Sequence, residues 1–241
     1  MSYFKQNAQT FTASGSWVAP AGCAFAILTG FGGGGGGGGG SSAATQGGGG
    51  GGGCLASTIM VPVTAGTSYT VTIGAGGAAA TDGSDGTPTS FGTLATFAQA
   101  SKGYSGAGAG PRYNAGGGNI PGSYTLFYTG DLLATITSGS GGNTLQTGIT
   151  PPHNFVELGA AFTVAANGTT ASTRQGGGGG GTGPGAAGGA GGNGNNGGVG
   201  VAGTAAAANS GAGGGGGGCG STTGGAGAAG GSGKLIVAWI A

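Results

Sequence analysis

The only histidine of the chain, His153, is the first residue to consider for catalysis, because histidine is the usual general base near neutral pH. A catalytic histidine needs a nucleophile and an orienting acid within hydrogen-bond reach. Glu157 and Asp131 are acids in the same part of the chain, but no spacing brings them together with His153. The sequence therefore indicates a surface or loop histidine, and it predicts a protein that is not an enzyme.

Two further patterns could bind ions, but each lacks part of what such a site requires. Asp82 and Asp85 stand in a Thr-Asp-Gly-Ser-Asp-Gly sequence that is similar to calcium-binding turns, without their third acidic position and distal glutamate. We interpret this sequence as a turn, with a Ca²⁺ site as the weaker alternative. A phosphate-binding loop at Gly233-Lys234 would need Ser or Thr where Leu235 stands. We predict no metal site and no cofactor.

The three cysteines, Cys23, Cys54 and Cys219, are far apart in the sequence and form neither a CxxC pair nor a Cys/His cluster. That spacing is unlike a zinc site. Cys23 lies in an apolar segment, where a buried free thiol is expected. Cys54 and Cys219 each border a glycine run, so a disulfide between them is the alternative to two free thiols.

Glycine fills 72 of the 241 positions, much of it in unbroken runs. Such runs disfavour an α-helix and have no side chains for a core, but their backbone can approach another backbone closely. They can form polyglycine II, an extended threefold helix, and such helices can pair side by side. Because 37% of residues are hydrophobic and 4% charged, we expect a packed bundle rather than flexible linkers. The runs include Gly32 to Gly40 and Gly47 to Gly53, and later ones begin at Gly176 and Gly213.

Short strand-like segments separate the glycine runs. Residues 11–18 are predicted to form one strand, and residues 23–31 place Cys23, Phe25, Ile27 and Phe31 on one face at period two. In residues 68–74 the apolar positions alternate with threonines, and residues 234–240 are apolar throughout, which is typical of a central strand buried on both sides. The main apolar positions of these last two segments are Tyr69, Val71, Ile73, Val237 and Trp239.

These patterns predict an all-β fold: a small β-sandwich near the termini, with projecting glycine-rich loops that pack as polyglycine II helices. Residues 1–10 are interpreted as an attachment segment, and residues 11–110 and 175–241 as the scaffold. Residues 111–174 interrupt the glycine pattern for longest and hold many of the aromatic and charged residues. We interpret them as an inserted loop region and a candidate distal tip.

Several sequence segments resemble the glycine-rich domain of tailed-bacteriophage tail fibres and related virion appendages. They are Phe-Thr-Ala-Ser-Gly-Ser-Trp-Val-Ala-Pro-Ala-Gly at 11–22, residues 63–77, Thr-Ser-Phe-Gly at 89–92 and the final strand. The resemblance covers roughly residues 9–97 and 176–241, and region 111–174 departs from it. It implies an appendage or host-recognition role, often at a fibre tip. Glycine-rich phage adhesins contain polyglycine helix bundles, which agrees with the packing expected above.

On this basis we expect a non-enzymatic virion structural protein, a tail-fibre or receptor-binding protein that mediates attachment to the host surface. The expected partners are other virion proteins, a host-cell surface glycan or outer-surface protein, and further copies of the chain, with a trimer favoured by analogy. Two alternatives stay open: a purely architectural component such as a capsid fibre or cement protein, and an ice-binding or cell-wall glycine-rich protein. The candidate receptor contacts are aromatic residues and the histidine: Tyr104, Tyr113, Tyr124, Phe127, Tyr128 and His153.

Charge and hydropathy limit the other partners. The net charge is +1 and no basic cluster occurs, so we expect no nucleic-acid binding. No apolar stretch is long enough to span a membrane, and the N-terminal sequence lacks the pattern of a signal peptide. We therefore expect a virion location, with synthesis in the host cytoplasm.

Overall fold

The computed structural model describes residues 6–42, 47–106, 124–128, 131–136, 177, 179–181, 183–195 and 198–240. The secondary structure of these residues is all β, which confirms the predicted fold class. The strands are β1 Gln6–Phe11, β2 Gly15–Val18, β3 Phe25–Phe31, β4 Ser57–Pro62, β5 Ser68–Thr72, β6 Thr89–Phe91, β7 Ala95–Phe97, β8 Tyr124–Tyr128, β9 Asp131–Ile136 and β10 Lys234–Ile240.

The strands form two four-stranded antiparallel sheets and one hairpin. The first sheet has the order β1-β10-β3-β4, the second has the order β2-β5-β6-β7, and β8 pairs with β9. Because β10 lies between β1 and β3, the last strand of the sequence is a central strand, as predicted. The two sheets pack face to face as a small sandwich around one cluster of apolar side chains.

Aromatic rings from both sheets meet in the core of the sandwich. The ring of Trp17 on β2 lies 5.5 Å from that of Trp239 on β10 and 5.8 Å from that of Phe91. Val71 and Val237, predicted as structural residues, are fully buried, and Ile73 and Trp239 pack against the same cluster. Period-two alternation therefore located the core correctly in β5.

Residues 11–18 do not form the single strand that was predicted. β1 ends at Phe11, the chain bends, and β2 begins at Gly15 in the other sheet. Phe11 and Trp17 reach the same core from opposite sheets. The sequence pattern hides this break because residues six positions apart would share one face of a continuous strand, and here they share the core from two different sheets. Since β1 begins at Gln6, half of the predicted attachment segment belongs to the sandwich.

The predicted common face of residues 23–31 is also wrong. Cys23 and Phe31 are buried, but Phe25 and Ile27 are 55% and 39% exposed, on the outer face of the first sheet. The core positions of β3 are Ala26 and Leu28. β10 also differs from its prediction at one end, because Ile240 is exposed on that outer face.

Candidate functional site

Beyond the sheets, extended segments pack side by side in what we call the glycine bundle: residues 32–42, 47–54, 74–87, 98–106, 177–195 and 198–233, where described. Along its segment 32–40 the hydrogen-bond partners change in a cycle of three. The N–H groups of Gly33, Gly36 and Gly39 donate to the carbonyls of Thr87, Ser84 and Thr81, at 2.8–2.9 Å. Those of Gly34, Gly37 and Gly40 donate to Gly231, Ala228 and Gly225, and those of Gly35 and Gly38 to Gly52 and Gly49. The segment therefore has neighbours in three directions.

A second glycine segment, 211–220, lies beside the first and runs parallel to it. Its residues Gly214, Gly217 and Gly220 donate to Gly35, Gly38 and Ser41, while Gly215 and Gly218 donate to Thr204 and Val201. Every residue from 211 to 220 is buried. A threefold extended helix predicts this three-residue spacing, since its donors point outward in three directions. The polyglycine II conformation itself stays a prediction.

The inner segments approach too closely for side chains. A Cβ atom at Gly37 would overlap the carbonyl of Gly215, and one at Gly35 would overlap the carbonyl of Ser101. At Gly39 the nearest atom would be 3.6 Å away, which is ordinary van der Waals contact. Glycine is thus required at most positions of this run because another backbone occupies the place of the side chain.

The outer segments of the bundle have a repeating sequence pattern of their own. In residues 198–208, Gly200, Gly203 and Ala206 donate to the neighbouring segment, whereas Val201 and Thr204 are exposed. A small residue at every third position therefore bonds to segment 223–229. The residues Val201 and Thr204 are exposed, but their N–H groups donate to Asn193 and Ala190 of another segment. The same spacing occurs at Ala100, Gly103 and Gly106, which donate to Gly33, Gly36 and Gly39.

The two aspartates of the turn sequence hold one edge of the bundle. The chain reverses between residues 78 and 84, as the turn interpretation predicts, since Ser84 donates to the carbonyl of Ala78. The Asp82 carboxylate accepts the Ser105 N–H and the Asp85 carboxylate accepts the Lys102 N–H, both at 2.8 Å. Within the described residues, no group of three or more His, Cys, Asp or Glu side chains is placed to bind a metal.

All three cysteines are free and buried, so the alternative disulfide between Cys54 and Cys219 is not formed. The thiol of Cys54 donates to the carbonyl of Gly33 at 3.1 Å, where the bundle meets the sandwich. Burial raises the pKa of Cys54 to about 12, so this thiol stays protonated at neutral pH. The thiol of Cys23 donates to the carbonyl of Phe25.

The candidate receptor contacts are only partly within the described residues. Tyr104 is 39% exposed, and the ammonium of Lys102 lies 5.4 Å from the centre of its ring. Tyr124, Phe127 and Tyr128 belong to β8, which pairs with β9. Tyr113 and His153 lie outside the described residues, as does Gly176 of the glycine runs.

The described residues that flank the inserted region lie at one end of the bundle. The run from Gly32 to Gly40 starts directly after β3, so Gly32 is its sandwich end and Gly39 lies seven residues further along the run. The N–H of Gly106 donates to the carbonyl of Gly39 at 3.0 Å. We call this end the distal end.

Gly177, which follows the inserted region, also lies at the distal end. A Cβ atom at Gly177 would overlap the carbonyl of Gly216. Gly217, which follows Gly216, donates to the carbonyl of Gly38, so this contact lies near the end of the run. Gln6 and Ile240 pair at the opposite end of the molecule. The sandwich and the two flanks of the inserted region are therefore at opposite ends of the bundle.

Comparison with known proteins identifies the family. No helix among the described residues is long and apolar enough to cross a membrane. A search of curated proteins finds none that matches the chain. The family model described as "Glycine-rich domain" matches residues 8–240, which include both sheets and the glycine bundle. The chain therefore belongs to the glycine-rich domain family.

Proposed function

We propose that this chain is a non-enzymatic structural protein of a bacteriophage virion, and that residues 111–174 contact the host surface. One observation carries the proposal. Gly106 and Gly177, the described residues on either side of the inserted region, both lie at the distal end of the bundle. This common position of the two flanks supports a contact between the inserted region and a surface at the distal end.

The glycine bundle supports this role as a stiff spacer. Its inner segments donate in three directions, and the buried N–H groups of Gly33 to Gly38 are each paired with a carbonyl of the same chain. Breaking such buried pairs costs about 1–3 kcal/mol for each group left unpaired. A stiff spacer keeps the contact loop at a fixed distance from the particle, and several copies on one particle add avidity without tight single sites.

Tyr104 supports a glycan or protein surface as the ligand. Its ring is exposed close to the distal end, and Lys102 lies beside it. Exposed aromatic rings stack on apolar faces while their polar groups stay in water, which suits sugar rings and protein surfaces. In this proposal Tyr104 adds to contacts made by Tyr113, Tyr124, Phe127, Tyr128 and His153.

Host adsorption of phage particles tests the proposal. The variant with Tyr124, Phe127 and Tyr128 all changed to Ala should assemble into particles that no longer adsorb to the host. The matched control is Val18→Ala, which removes exposed apolar atoms from the second sheet of the sandwich, and it should adsorb normally. Normal adsorption of the triple variant would contradict the assignment of these contacts.

A purely architectural role is the second candidate. It is favoured by the apolar side chains on the outer face of the first sheet, where Phe25 is 55% and Ile240 is 53% exposed. Such a face suits contact with other virion proteins. Exchange of residues 111–174 with those of a related chain separates the two candidates, because it changes host range only if this region recognises the host.

A further inference from the structure

Among the residues that the structure describes, no strand pairs with the outer edge of β4 in the first sheet. Strand β4 pairs with β3 on one side and is the last strand in the order β1-β10-β3-β4. Its sequence, Ser-Thr-Ile-Met-Val-Pro, contains no charged residue, and Ile59 and Met60 are 44% and 64% exposed. Charged residues on an edge strand normally prevent pairing with another chain, and β4 has none.

The register shows which backbone groups of β4 point to the open side. The N–H of Val63 donates to the carbonyl of Ala24 at 2.9 Å, one residue beyond the pair Pro62 and Phe25. Hydrogen-bonded and non-hydrogen-bonded pairs alternate along an antiparallel ladder. The N–H and C=O groups of Ile59 therefore bond to β3, whereas those of Thr58 and Met60 point away from β3 toward the open edge. Pro62 also points outward but has no N–H to donate.

Ile59 is exposed on the face of the sheet that is otherwise buried. It lies opposite Leu28, which is fully buried in the core, and it is two positions from Val61, which is 4% exposed. Residues two apart on a strand share a face. The core of the sandwich is thus left partly uncovered at the edge of β4.

We propose that β4 pairs with β4 of a second copy of this chain, antiparallel about a twofold axis at Ile59. In this register Thr58 of each copy lies opposite Met60 of the other, so every outward N–H and C=O of these two residues is paired. A register centred on Met60 would set Thr58 opposite Pro62 and leave the Thr58 carbonyl without a donor. The chosen register also places the two Ile59 side chains against each other, which covers the exposed part of each.

A second copy fits this edge better than an unrelated strand for a reason of charge and symmetry. The twofold axis sets the exposed Ile59 against an identical apolar side chain, so the second copy supplies the cover that this side chain lacks. Pairing buries no charged group, since none is present in the strand. The dimer joins two four-stranded sheets into one. The proposal is independent of host attachment, and it predicts a pair where the analogy with fibres favours a trimer.

Site-specific cross-linking tests the register directly. In a non-hydrogen-bonded antiparallel pair the Cα atoms lie about 4.5 Å apart, within the range of disulfides. Ile59→Cys should therefore run as a disulfide-linked dimer on a non-reducing gel after mild oxidation. Met60→Cys is the matched control: it is more exposed, but its residue lies opposite Thr58, so it should remain a monomer on the gel. The native cysteines are at most 2% exposed and should not cross-link.

Mass in solution tests the association itself. Light scattering should give twice the chain mass of 21.5 kDa for the unmodified protein and for Ala8→Lys, which places a charge on the other edge strand. Ile59→Lys sets two ammonium groups against each other and should reduce the mass to 21.5 kDa. Circular dichroism checks that each variant is folded. A wild-type mass of one or three chains overturns the proposal; a mass of one chain is also the result expected if a different protein occupies the edge. Cross-linking of Met60→Cys as readily as Ile59→Cys overturns it too.

Discussion

Side chains pack the sandwich, whereas the backbone packs the glycine bundle. In the sandwich, side chains such as Leu28, Val71 and Phe91 fill the space between two sheets. In the bundle, the carbonyl of one segment occupies the place where the neighbouring segment would have a side chain, as at Gly37 and Gly215. Removing atoms should therefore weaken the sandwich, whereas adding atoms should weaken the bundle.

The two regions are joined without a linker. β3 ends at Phe31 and the bundle begins at Gly32. Phe31, Cys54 and Ala100 form a small apolar cluster at this junction, and the N–H of Gly74 donates to the buried hydroxyl of Thr89 on β6. Because packed and hydrogen-bonded contacts cross the junction, we expect the two regions to unfold together.

The strongest test of the comparison adds one methyl group to the bundle. Gly37→Ala should lower the free energy of unfolding by about 3 kcal/mol, because its Cβ would overlap the backbone of Gly215, which cannot rotate away. Deleting the ring of Phe91 from the sandwich, which is the opposite kind of change, costs a similar amount, about 3–5 kcal/mol. Urea denaturation of the variant measures the effect.

Gly39→Ala is the matched control in the same run. The nearest atom to its Cβ would be 3.6 Å away, and alanine reduces the conformational entropy of the unfolded chain. Its free energy of unfolding should therefore stay within about 1 kcal/mol of the wild type. Equal losses for Gly37→Ala and Gly39→Ala would show that the bundle is held by something other than backbone contact.

The sequence predicts the sandwich better than the bundle because side chains carry the pattern. Tyr69, Val71 and Ile73 alternate with threonines, and β5 lies where that alternation predicts it. The error in β3 arises because both faces of a strand repeat every two residues, so the period alone does not show which face is buried. Phe25 and Ile27 have the alternation of a core face, but the smaller Ala26 and the neighbouring Leu28 are the buried positions.

A glycine run contains no such information. Every residue from 32 to 40 is identical, so the sequence cannot tell which of them bonds to residue 87 and which to residue 231. That register depends on where β3 ends and where other segments begin. The outer segments did contain a usable signal, the three-residue spacing of Gly200, Gly203 and Ala206.

The candidate site was predicted only in outline. Residues 111–174 differ in composition from the rest, which marked them as an insertion, and their described flanks Gly106 and Gly177 lie at the distal end. All of the contact residues stay predictions, Tyr104 included, although its side chain is exposed. Glycine spacing cannot indicate which aromatic side chains share a surface, because that depends on the fold of the insertion.

A smaller effect is expected from the buried thiol at the junction. The pKa of Cys54 is about 12 in the folded protein and 9.0 as the reference value, so between these pH values the unfolded chain releases a proton that the folded chain keeps. Stability is therefore complete below pH 9 and falls as the pH rises toward 12. Between pH 8 and 10 the loss due to Cys54 should be about 1 kcal/mol.

Denaturation of the wild type and Cys54→Ala at both pH values isolates this contribution, since the two proteins differ only at this residue. The wild type should lose about 1 kcal/mol more than the variant between pH 8 and 10. A reducing agent keeps all thiols free throughout. Parallel pH profiles for the two proteins would mean that Cys54 is as accessible to water as in the unfolded chain, and that the junction is open.

The smallest effect is expected at the edge of the bundle, where the Asp85 carboxylate accepts the Lys102 N–H in place of a backbone carbonyl. Asp85→Ala removes the acceptor of the Lys102 N–H and should cost about 0.5–1 kcal/mol, because water can partly replace the bond at this exposed position. Asp85→Asn keeps an oxygen in place and should cost less. If the carboxylate acts only in this way, adding Ca²⁺ should not change the melting temperature of the wild type. A rise in melting temperature with Ca²⁺ that Asp85→Asn abolishes would instead support the calcium-site alternative, and would show that this edge is held by an ion as well as by the chain.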